Sequence, residues 1–353
     1  MSAPINRIVP TMWLIKDATF DSIIDVRSPS EFLDDHIPNA INLPVLDDAQ
    51  RELIGTTYKQ INPFEAKRAG AAFVAQNIAR HLQTGLAKKD RNWRPLIYCW
   101  RGGHRSGAMA RILSDIGWHS TVIDGGYKAY RKTVLDELDR LPSELKLIVL
   151  SGTTGTAKTH ILRAAANIGA QVLDLEKLAK HRGSLFGSEP GILQPAQRLF
   201  ESRLVACLHS FDPKRPVYVE AESNKIGQIH IPSALWASMR EACRVTIVAP
   251  LAVRVAFLLR DYSHIIEKND NLMQLLSGLR KRYSKDVFAN WQNNITNGNW
   301  EEFVTSILET HYDPSYAQST ASRPLTDILK LTATRLDEDD IMRLASELTA
   351  QGS

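Results

Sequence analysis

Short apolar runs recur along this chain, and each is followed by a polar turn and then by a segment with helical periodicity. Runs this short and this apolar predict strands that are buried on both faces. Because helices separate the runs, we expect two parallel α/β sheets, one in each half of the chain. The predicted strands lie at 23–26, 95–98, 119–123, 145–150, around 172–174, 217–220 and 245–249.

The segments between these strands predict helices of ordinary length. A charged helix at 131–142 ends at Pro142 and connects the two halves. The chain after Ser319 predicts one helix, at 337–348, within an otherwise peripheral tail. The other predicted helices cover 29–34, 65–88, 106–116, 158–168, 195–208 and 251–285. The predicted organisation is an N-terminal domain at 1–135, a connector at 136–145, a second α/β domain at 146–320 and a helical C-terminal tail at 321–353.

Composition narrows the class of protein. A chain of 353 residues with 44% hydrophobic and 23% charged residues is typical of a soluble protein with two domains. It has no apolar run of about 18 residues, which argues against a membrane span, and its N-terminus has no signal pattern. The cysteines at 99, 207 and 243 fit neither a metal motif nor a disulfide framework, so we expect a reducing cytoplasm and structural roles for Cys207 and Cys243. The net charge of +4 is compatible with binding RNA.

The segment around Cys99 contains the main candidate for chemistry. A loop with two glycines and two arginines separates this cysteine from a helix that begins at Ser106. Such a loop can point successive backbone N–H groups at an atom on the sulfur, its glycines allow the required backbone angles, and the helix N-terminus adds positive charge. We therefore expect a lowered pKa for the Cys99 thiol and a nucleophile in an anion cradle, rather than an ordinary core cysteine. The predicted cradle consists of Trp100, Arg101, Gly102, Gly103, His104 and Arg105.

Two chemistries fit this cradle. A phosphatase attacks phosphate with a Cys-x5-Arg motif, and a sulfurtransferase carries sulfur or selenium on its cysteine. The spacing from Cys99 to Arg105 alone suits phosphate chemistry. A phosphatase would usually have histidine before the cysteine, where this chain has Tyr98.

The segments that flank Cys99 resemble rhodanese domains and favour sulfur-type chemistry. This resemblance rests on Asp25, Arg27, Glu31, Phe32, His36, Pro38, Ala40, Asn42, Pro44 and the Gly-Gly turn at 125–126. A strand-end ion pair is the structural alternative for Asp25 and Arg27, and we expect Glu31 and His36 to be structural. The chain departs from ordinary rhodaneses in a loop that is one residue longer and in an insert at 47–92. The longer loop predicts a larger cradle, for a bigger or more anionic guest than sulfur alone.

A second loop, between the strand at 145–150 and the helix at 158–168, has the pattern of a P-loop. Backbone N–H groups and the helix dipole would bind a phosphate there, Lys158 would contact the outer phosphate, and Thr159 would position an oxygen or Mg²⁺. Ala157 stands where glycine is usual, and its Cβ is expected to crowd the phosphate. No guanine-reading element follows, so a diphosphate that is not a nucleotide is allowed. The predicted loop is Gly152, Thr153, Thr154, Gly155, Thr156, Ala157, Lys158 and Thr159.

Several polar residues of the second domain are candidates for the same site. Carboxylates that follow a strand can order Mg²⁺ or water, but structural salt bridges explain them nearly as well. No metal-ligating cluster is predicted, and Mg²⁺ is allowed without being required. The candidates are Asp174, Glu176, Arg182, Ser184, Glu220 and Glu222.

Three further charged or aromatic segments have less specific patterns. The basic residues at 280–285, on the predicted helix 251–285, are either a solubility face or a contact for a phosphate backbone. The segment 311–316 predicts a turn with two aromatic side chains that can stack on a base. The charges on the predicted helix at 65–88 are expected to form a solvated face.

The two-domain order and these motifs together resemble one family, the tRNA 2-selenouridine synthases, over roughly residues 20–317. The motifs include the Cys99 loop, the P-loop, Asp174-Leu-Glu176, residues 181–187, residues 220–227 and Tyr312-Asp-Pro-x-Tyr316. The resemblance implies a rhodanese-like domain followed by a P-loop NTPase-like domain.

The resemblance also implies a reaction. Enzymes of this family replace the sulfur of 2-thiouridine, at wobble position 34 of certain tRNAs, with selenium from selenophosphate. Geranyl diphosphate would first alkylate the sulfur, and selenium would then displace the S-geranyl group. We expect Cys99 to hold selenium or selenophosphate, and Lys158 to hold geranyl diphosphate. The implied partners are tRNA and, less directly, the enzyme that supplies selenophosphate.

Two other functions stay open at this point. The chain could be a generic sulfurtransferase fused to a P-loop ATP-dependent kinase or switch, with no RNA substrate. It could also be a scaffold whose rhodanese-like domain only binds partners.

Overall fold

A computed structural model describes the chain at residues 3–10, 19–183, 192–221, 223–263, 272–321 and 327–350. The chain forms two compact units, and each is described separately. The first contains Met1–Arg140 and Pro195–His209, and the second contains Leu141–Gln194 and Ser210–Ser353.

The first unit is built on a sheet of five parallel strands in the order β1-β5-β4-β2-β3. The central strand β4 is buried at every residue, as its apolar sequence predicts. Its carboxyl end therefore delivers Cys99 to the edge of the sheet where ligands bind in parallel α/β folds. The strands are β1 (Asn6–Ile8), β2 (Ser22–Asp25), β3 (Ala40–Asn42), β4 (Pro95–Tyr98) and β5 (Thr121–Ile123).

Among the described residues of this unit, six helices accompany the sheet. The helix predicted at 65–88 is present, but it begins at Pro63, where Asn62 caps it, and ends at Gln83. A second helix at Asp48–Gln60 precedes it in the insert. The helices are α1 (Pro29–Asp34), α2 (Asp48–Gln60), α3 (Pro63–Gln83), α4 (His104–Ile116), α5 (Gly126–Arg140) and α8 (Gln197–Leu208).

The second unit contains another sheet of five parallel strands, in the order β12-β11-β6-β8-β7. A separate antiparallel pair, β9 and β10, follows the β8 strand. The strands are β6 (Lys146–Ser151), β7 (Gln171–Leu173), β8 (Pro216–Glu220), β9 (Lys225–Ile226), β10 (Ile229–His230), β11 (Cys243–Val248) and β12 (Asp327–Thr332). The predicted α/β class is confirmed for both halves.

Some helices of the second unit pack on its sheet, and those at 272–307 form a small bundle with a hydrophobic cluster of its own. A short 3-10 helix at Leu141–Glu144 leads into β6. The helices are α6 (Lys158–Asn167), α7 (Leu175–Ala179), α9 (Ser233–Glu241), α10 (Leu251–Asp261), α11 (Leu272–Ser277), α12 (Lys285–Thr296), α13 (Trp300–Ile307), a π-helical turn at Leu308–Tyr312, α14 (Asp313–Ala321) and α15 (Glu338–Ala350).

The C-terminal segment is helical, as predicted, but it is not a peripheral tail. Its strand β12 pairs with β11, and Leu344, Ala345 and Leu348 of α15 are fully buried in the core of the second unit. The carboxylate of Asp340 accepts backbone N–H groups from the turn between them, including Thr334 at 2.8 Å. Burial of these apolar side chains makes the tail part of the domain.

Two predicted elements between 251 and 316 are wrong. The chain turns at 278–284, where a helix was predicted, because Gly278 interrupts the helix and Ser284 caps the next one, α12. The predicted turn at 311–316 is helical, since the π-helical turn runs directly into α14. Pro314 is tolerated there because it occupies the first turn of α14.

Within the described residues, no helix has the length and apolar character needed to cross a membrane.

Candidate functional site

Cys99 lies directly after β4, 4% exposed, at the start of the loop that leads to α4. Burial raises the pKa of its thiol, but hydrogen bonds from the Ser106 hydroxyl and from the backbone N–H groups of Ser106 and Arg101, with the charge of Arg105, outweigh burial. The net pKa of Cys99 is therefore lowered, as the sequence predicts. A thiolate held this way is a competent nucleophile.

The loop is held against the Gly-Gly turn that begins α5. The backbone N–H of Tyr127 donates to the Cys99 carbonyl at 2.8 Å, and that of Lys128 donates to Trp100 at 3.0 Å. Gly102 has a φ of +65°, and a Cβ there would lie 2.4 Å from the carbonyl oxygen of Ile123. Only glycine fits this position.

Gly103 has a smaller role than predicted. Its φ is −101°, and a Cβ at this position would have no atom within 4 Å. The wrap around Cys99 therefore requires Gly102, but it does not require Gly103.

The two arginines of the cradle have different roles. Arg105 contributes its charge, but its guanidinium is paired with Glu31 at 2.8 Å, and Arg51 also pairs with Glu31 at 2.9 Å. Burial raises the pKa of Glu31, but these arginines outweigh burial and bring it to about 2. Arg101 has an exposed side chain, and its backbone N–H acts on the thiolate. Glu31, which was expected to be structural, therefore orients a cradle residue.

The remaining cradle residues are Trp100 and His104. The Trp100 ring lies 5.3 Å from the Tyr127 ring, and His104, at the start of α4, is exposed.

His36 is structural, as expected, since its Nδ1 lies 2.8 Å from the Phe32 carbonyl oxygen.

The predicted strand-end ion pair is confirmed. The side chains of Asp25 and Arg27 are 0% and 1% exposed, and they pair at 2.6 Å. The Arg27 guanidinium also lies 3.9 Å from the centre of the Tyr127 ring. This buried pair holds the carboxyl end of β2 in place.

Sequence reasoning missed Ser106, the hydroxyl donor to Cys99. The residue is fully buried, and its hydroxyl lies 3.2 Å from the sulfur. The signal in the sequence was a small hydroxyl residue in the first turn of the helix that follows the cysteine loop. Of the two cysteines expected to be structural, Cys207 is half-buried, whereas Cys243 is exposed and is not part of a core.

The second site is the loop between β6 and α6. Gly152 and Gly155 have φ values of +156° and +86°, and the Thr156 hydroxyl donates to the Thr153 carbonyl at 2.8 Å. The Lys158 ammonium donates to the Gly152 carbonyl at 2.9 Å. The lysine therefore folds back over its own loop, as a P-loop lysine must to reach a phosphate.

Ala157 adopts the left-handed conformation, with a φ of +55° and a ψ of +28°. The residue is 6% exposed and belongs to the hydrophobic core of the second unit. An alanine pays about 1 kcal/mol for this conformation, which glycine adopts freely. The alanine that stands in place of glycine at position 157 therefore makes the backbone of this loop less stable.

Two carboxylates converge on Thr159. Its hydroxyl lies 2.7 Å from Glu220 and 3.1 Å from Glu176, and Lys158 lies 3.9 Å from Glu220. Burial raises the pKa of Glu220, while the Lys158 charge and the Thr159 hydroxyl oppose the rise. The hydroxyl and Glu220 are hard oxygen groups of the kind that Mg²⁺ accepts beside a phosphate.

The other second-domain candidates fall into three groups. Arg182 lines the cavity and pairs with Asp261 at 2.9 Å. Asp174 caps α7 and pairs with Arg163 at 3.1 Å, so its role is structural. Ser184 and Glu222 lie outside the described residues. Among the residues that the structure describes, no group of three or more His, Cys, Asp or Glu side chains could hold a metal ion by itself.

A cavity of about 370 Å³ opens over this loop. Its floor is the P-loop. Polar and charged side chains, among them Arg163, Arg182 and Asp261, form part of its wall, and the rest is an apolar and aromatic patch that we call the apolar wall. A hydrocarbon chain or a ring would fit against that patch. The apolar wall consists of Phe257, Leu258, Tyr262, Tyr312 and Tyr316.

Sequence reasoning missed the residue that holds this wall to the loop. Arg254, on α10, donates to the Thr154 carbonyl at 3.2 Å and forms two hydrogen bonds of 2.8 Å with Asp313. The Tyr316 and Ser151 hydroxyls lie 2.6 Å apart. The available signal for Arg254 was a lone arginine in the apolar run at 251–259.

Family profiles match both halves of the chain. A rhodanese-like domain matches residues 13–133, and a domain described as "tRNA 2-selenouridine synthase AAA domain" matches residues 145–338.

Curated relatives match most of the chain. A protein of Psychromonas ingrahamii is 32% identical over 83% of this chain and 86% of its own length. One from Bdellovibrio bacteriovorus is 30% identical over 88% of this chain and 92% of its own length. A third, from Nitrosomonas europaea, is 38% identical over 68% of this chain, and the match covers 63% of that relative. Each of the three is named tRNA 2-selenouridine synthase.

Proposed function

The chain belongs to the tRNA 2-selenouridine synthase family, and from that premise we propose that it replaces the sulfur of 2-thiouridine at wobble position 34 of tRNA with selenium. The selenium donor is selenophosphate, and geranyl diphosphate activates the sulfur first. The observation that carries the proposal is the presence, in one chain, of a cradled thiol at Cys99 and a P-loop cavity with an apolar wall.

The cavity supports geranyl diphosphate as the first co-substrate. Its P-loop and Lys158 would bind the diphosphate, and the apolar wall would hold the geranyl chain. The sulfur of the base attacks the first carbon of the geranyl group, the carbon–oxygen bond breaks, and pyrophosphate leaves. Thr159 and Glu220 would hold a Mg²⁺ ion beside that diphosphate, where the ion would neutralise charge.

The cradle of Cys99 supports selenophosphate as the second co-substrate. The inward N–H groups that lower the pKa of the Cys99 thiol are also suited to bind a selenium-bearing anion. Selenium attacks the carbon that bears the S-geranyl group, and the carbon–sulfur bond breaks with its electron pair on the leaving geranyl thiol. Water then hydrolyses the bond between selenium and phosphorus. Alkylation is needed because a neutral thiocarbonyl sulfur leaves poorly.

Mass spectrometry of wobble nucleosides tests this function. A tRNA that contains 2-thiouridine is incubated with the protein, selenophosphate and geranyl diphosphate, and the nucleosides are compared with those from a reaction without the protein. We expect 2-selenouridine only when the protein and both co-substrates are present. The generic sulfurtransferase–kinase alternative predicts no selenated nucleoside, together with turnover of thiosulfate, cyanide and ATP. A cytoplasmic location and a supply of selenophosphate from a partner enzyme belong to the same proposal.

A further inference from the structure

We propose that the exposed basic turn at 280–285 binds the phosphate backbone of the tRNA at the edge of the P-loop cavity. This inference rests on the proposed function, because it assigns a surface to the RNA substrate. The basic turn is the segment that contains Arg280, Lys281, Arg282 and Lys285.

The charge of the basic turn is large and uncompensated. All four cationic side chains are exposed, and none forms an ion pair with a described residue. Asp286 is the only acidic residue in 280–286, so four positive charges and one negative charge leave +3 there, while the whole chain carries +4. Unpaired surface cations at this density repel one another, and a polyanion relieves that repulsion.

The basic turn is anchored in a rigid bundle. Leu279 and Phe288 on either side of it are 4% and 8% exposed, and they belong to one hydrophobic cluster with Trp291. The Ser284 side chain caps α12 by accepting the backbone N–H of Val287 at 3.3 Å. A turn fixed at both ends loses little conformational entropy when it binds a ligand.

A chain of contacts connects the basic turn to the cavity. The Tyr283 hydroxyl lies 2.7 Å from His311 Nδ1, and the His311 and Tyr312 rings lie 4.8 Å apart. Tyr312 lines the P-loop cavity. Burial lowers the pKa of His311, and the positive charge of Arg282 lowers it further, which places that charge near the same ring.

This arrangement separates the two tasks of RNA recognition. Phosphates would lie on the basic turn, and Tyr312 would offer its ring to a base at the mouth of the cavity. The π-helical turn at Leu308–Tyr312 presents that tyrosine, and such turns are frequent at functional sites.

The test compares two sets of substitutions in the full chain. One variant combines Arg280→Ala, Lys281→Ala and Arg282→Ala. The matched control also removes three positive charges, by Lys59→Ala, Lys67→Ala and Lys88→Ala at exposed lysines of the insert at 47–92. The probe is a tRNA with 2-thiouridine at position 34, titrated at several salt concentrations. We expect the triple variant to bind at least about tenfold more weakly at low salt, and its slope of log affinity against log salt to fall by about two. The control should bind like the unaltered protein.

Three results would overturn the assignment. They are an unchanged affinity in the triple variant, a weaker affinity with an unchanged salt slope, or an equal loss in the control, each measured on variants that thermal melting shows to be folded. Binding and nucleoside modification are measured on the same samples. If the unaltered protein neither binds nor modifies tRNA, the proposed function fails and the assignment fails with it. If the unaltered protein does both and the triple variant matches it, only the basic-turn assignment fails.

Discussion

The hydroxyl of Ser106 lies 3.2 Å from the sulfur of Cys99, in the buried first turn of the helix that follows the cysteine loop. A hydrogen bond from a neutral donor to a charged sulfur stabilises the thiolate more than the thiol. The helix that aligns the backbone N–H groups therefore also supplies a side-chain donor.

Replacing Ser106 with alanine is expected to raise the pKa of Cys99. Burial raises the pKa of the thiol, and without the Ser106 hydroxyl fewer hydrogen-bond donors would oppose that rise. Less thiolate would therefore be present at pH 7. The measurement is the rate of alkylation of Cys99 by iodoacetamide across pH, which should fall several-fold at pH 7. Ser114→Ala on the same helix is the control, because that serine bonds to the Ala3 carbonyl. An unchanged pH profile in Ser106→Ala would show that the hydroxyl does not act on the sulfur.

The Cys99→Ser variant is expected to separate the two chemical steps. Because Cys99 is proposed to hold the selenium donor, its replacement should lower selenium incorporation by a factor of about 100 or more, while S-geranylated tRNA still forms and accumulates. Mass spectrometry of the wobble nucleoside measures both products in one sample. Selenation at the normal rate by Cys99→Ser would contradict the role given to Cys99.

The Lys158→Ala variant is expected to show the reverse pattern. Loss of the ammonium that bonds to the Gly152 carbonyl removes the contact to the diphosphate, so geranylation should fall by a factor of about 100. Selenation of tRNA that has been geranylated beforehand should continue. If Lys158→Ala instead lost selenation and kept geranylation, the roles proposed for the two sites would have to be exchanged.

The stability of the protein should depend on pH through Asp35. Burial raises the pKa of this carboxyl to about 6, although Ser202, Tyr127 and Arg131 oppose the rise. The folded protein therefore binds the proton more tightly than the unfolded chain does. This contribution to the free energy of unfolding is fully present below the ordinary pKa of 3.8 and is lost as the pH rises through about 6.

The Asp35→Asn variant tests that dependence because it cannot ionise. Between pH 4 and pH 7, its free energy of unfolding should rise relative to that of the unaltered protein by about 2 kcal/mol. Urea unfolding at a series of pH values measures the difference. Asp34→Asn, at an exposed neighbour paired with Arg198, should show no such trend. Parallel pH curves for Asp35→Asn and the unaltered protein would refute the shift.

Arg254, which holds the cavity wall to the P-loop, is expected to be sensitive to substitution. Arg254→Ala leaves Asp313 without its partner and frees the Thr154 carbonyl, so the free energy of unfolding should fall by about 3 kcal/mol. Urea unfolding measures this loss, and calorimetry with pyrophosphate should show weaker binding. Arg335→Ala, which breaks an exposed pair with Asp337, should change stability by no more than about 0.5 kcal/mol. Equal effects in the two variants would mean that the buried pair has no special role.

The sequence predicted the central strands and both site loops closely. Strand β4 covers the predicted residues, and β6 begins and ends one residue later than predicted. Such elements depend on apolar runs and on glycines at fixed positions, which are local properties of the chain. The outer strand β12 was missed because it has no continuous apolar run, and of its six residues only Leu331 is buried.

The sequence by itself determined the α/β class, the cysteine in its glycine loop and the lysine in its P-loop, because each depends on neighbours along the chain. Only the tertiary structure decided which distant side chains complete the sites. Glu31 meets Arg105 and Arg254 meets Asp313 across 74 and 59 residues of chain. Packing brings such pairs together, and no spacing in the sequence encodes the distance between them. For the same reason, the sequence left the basic residues at 280–285 open between a solubility face and a phosphate-backbone contact, and only the fold connected them to the cavity by placing Tyr283 against His311.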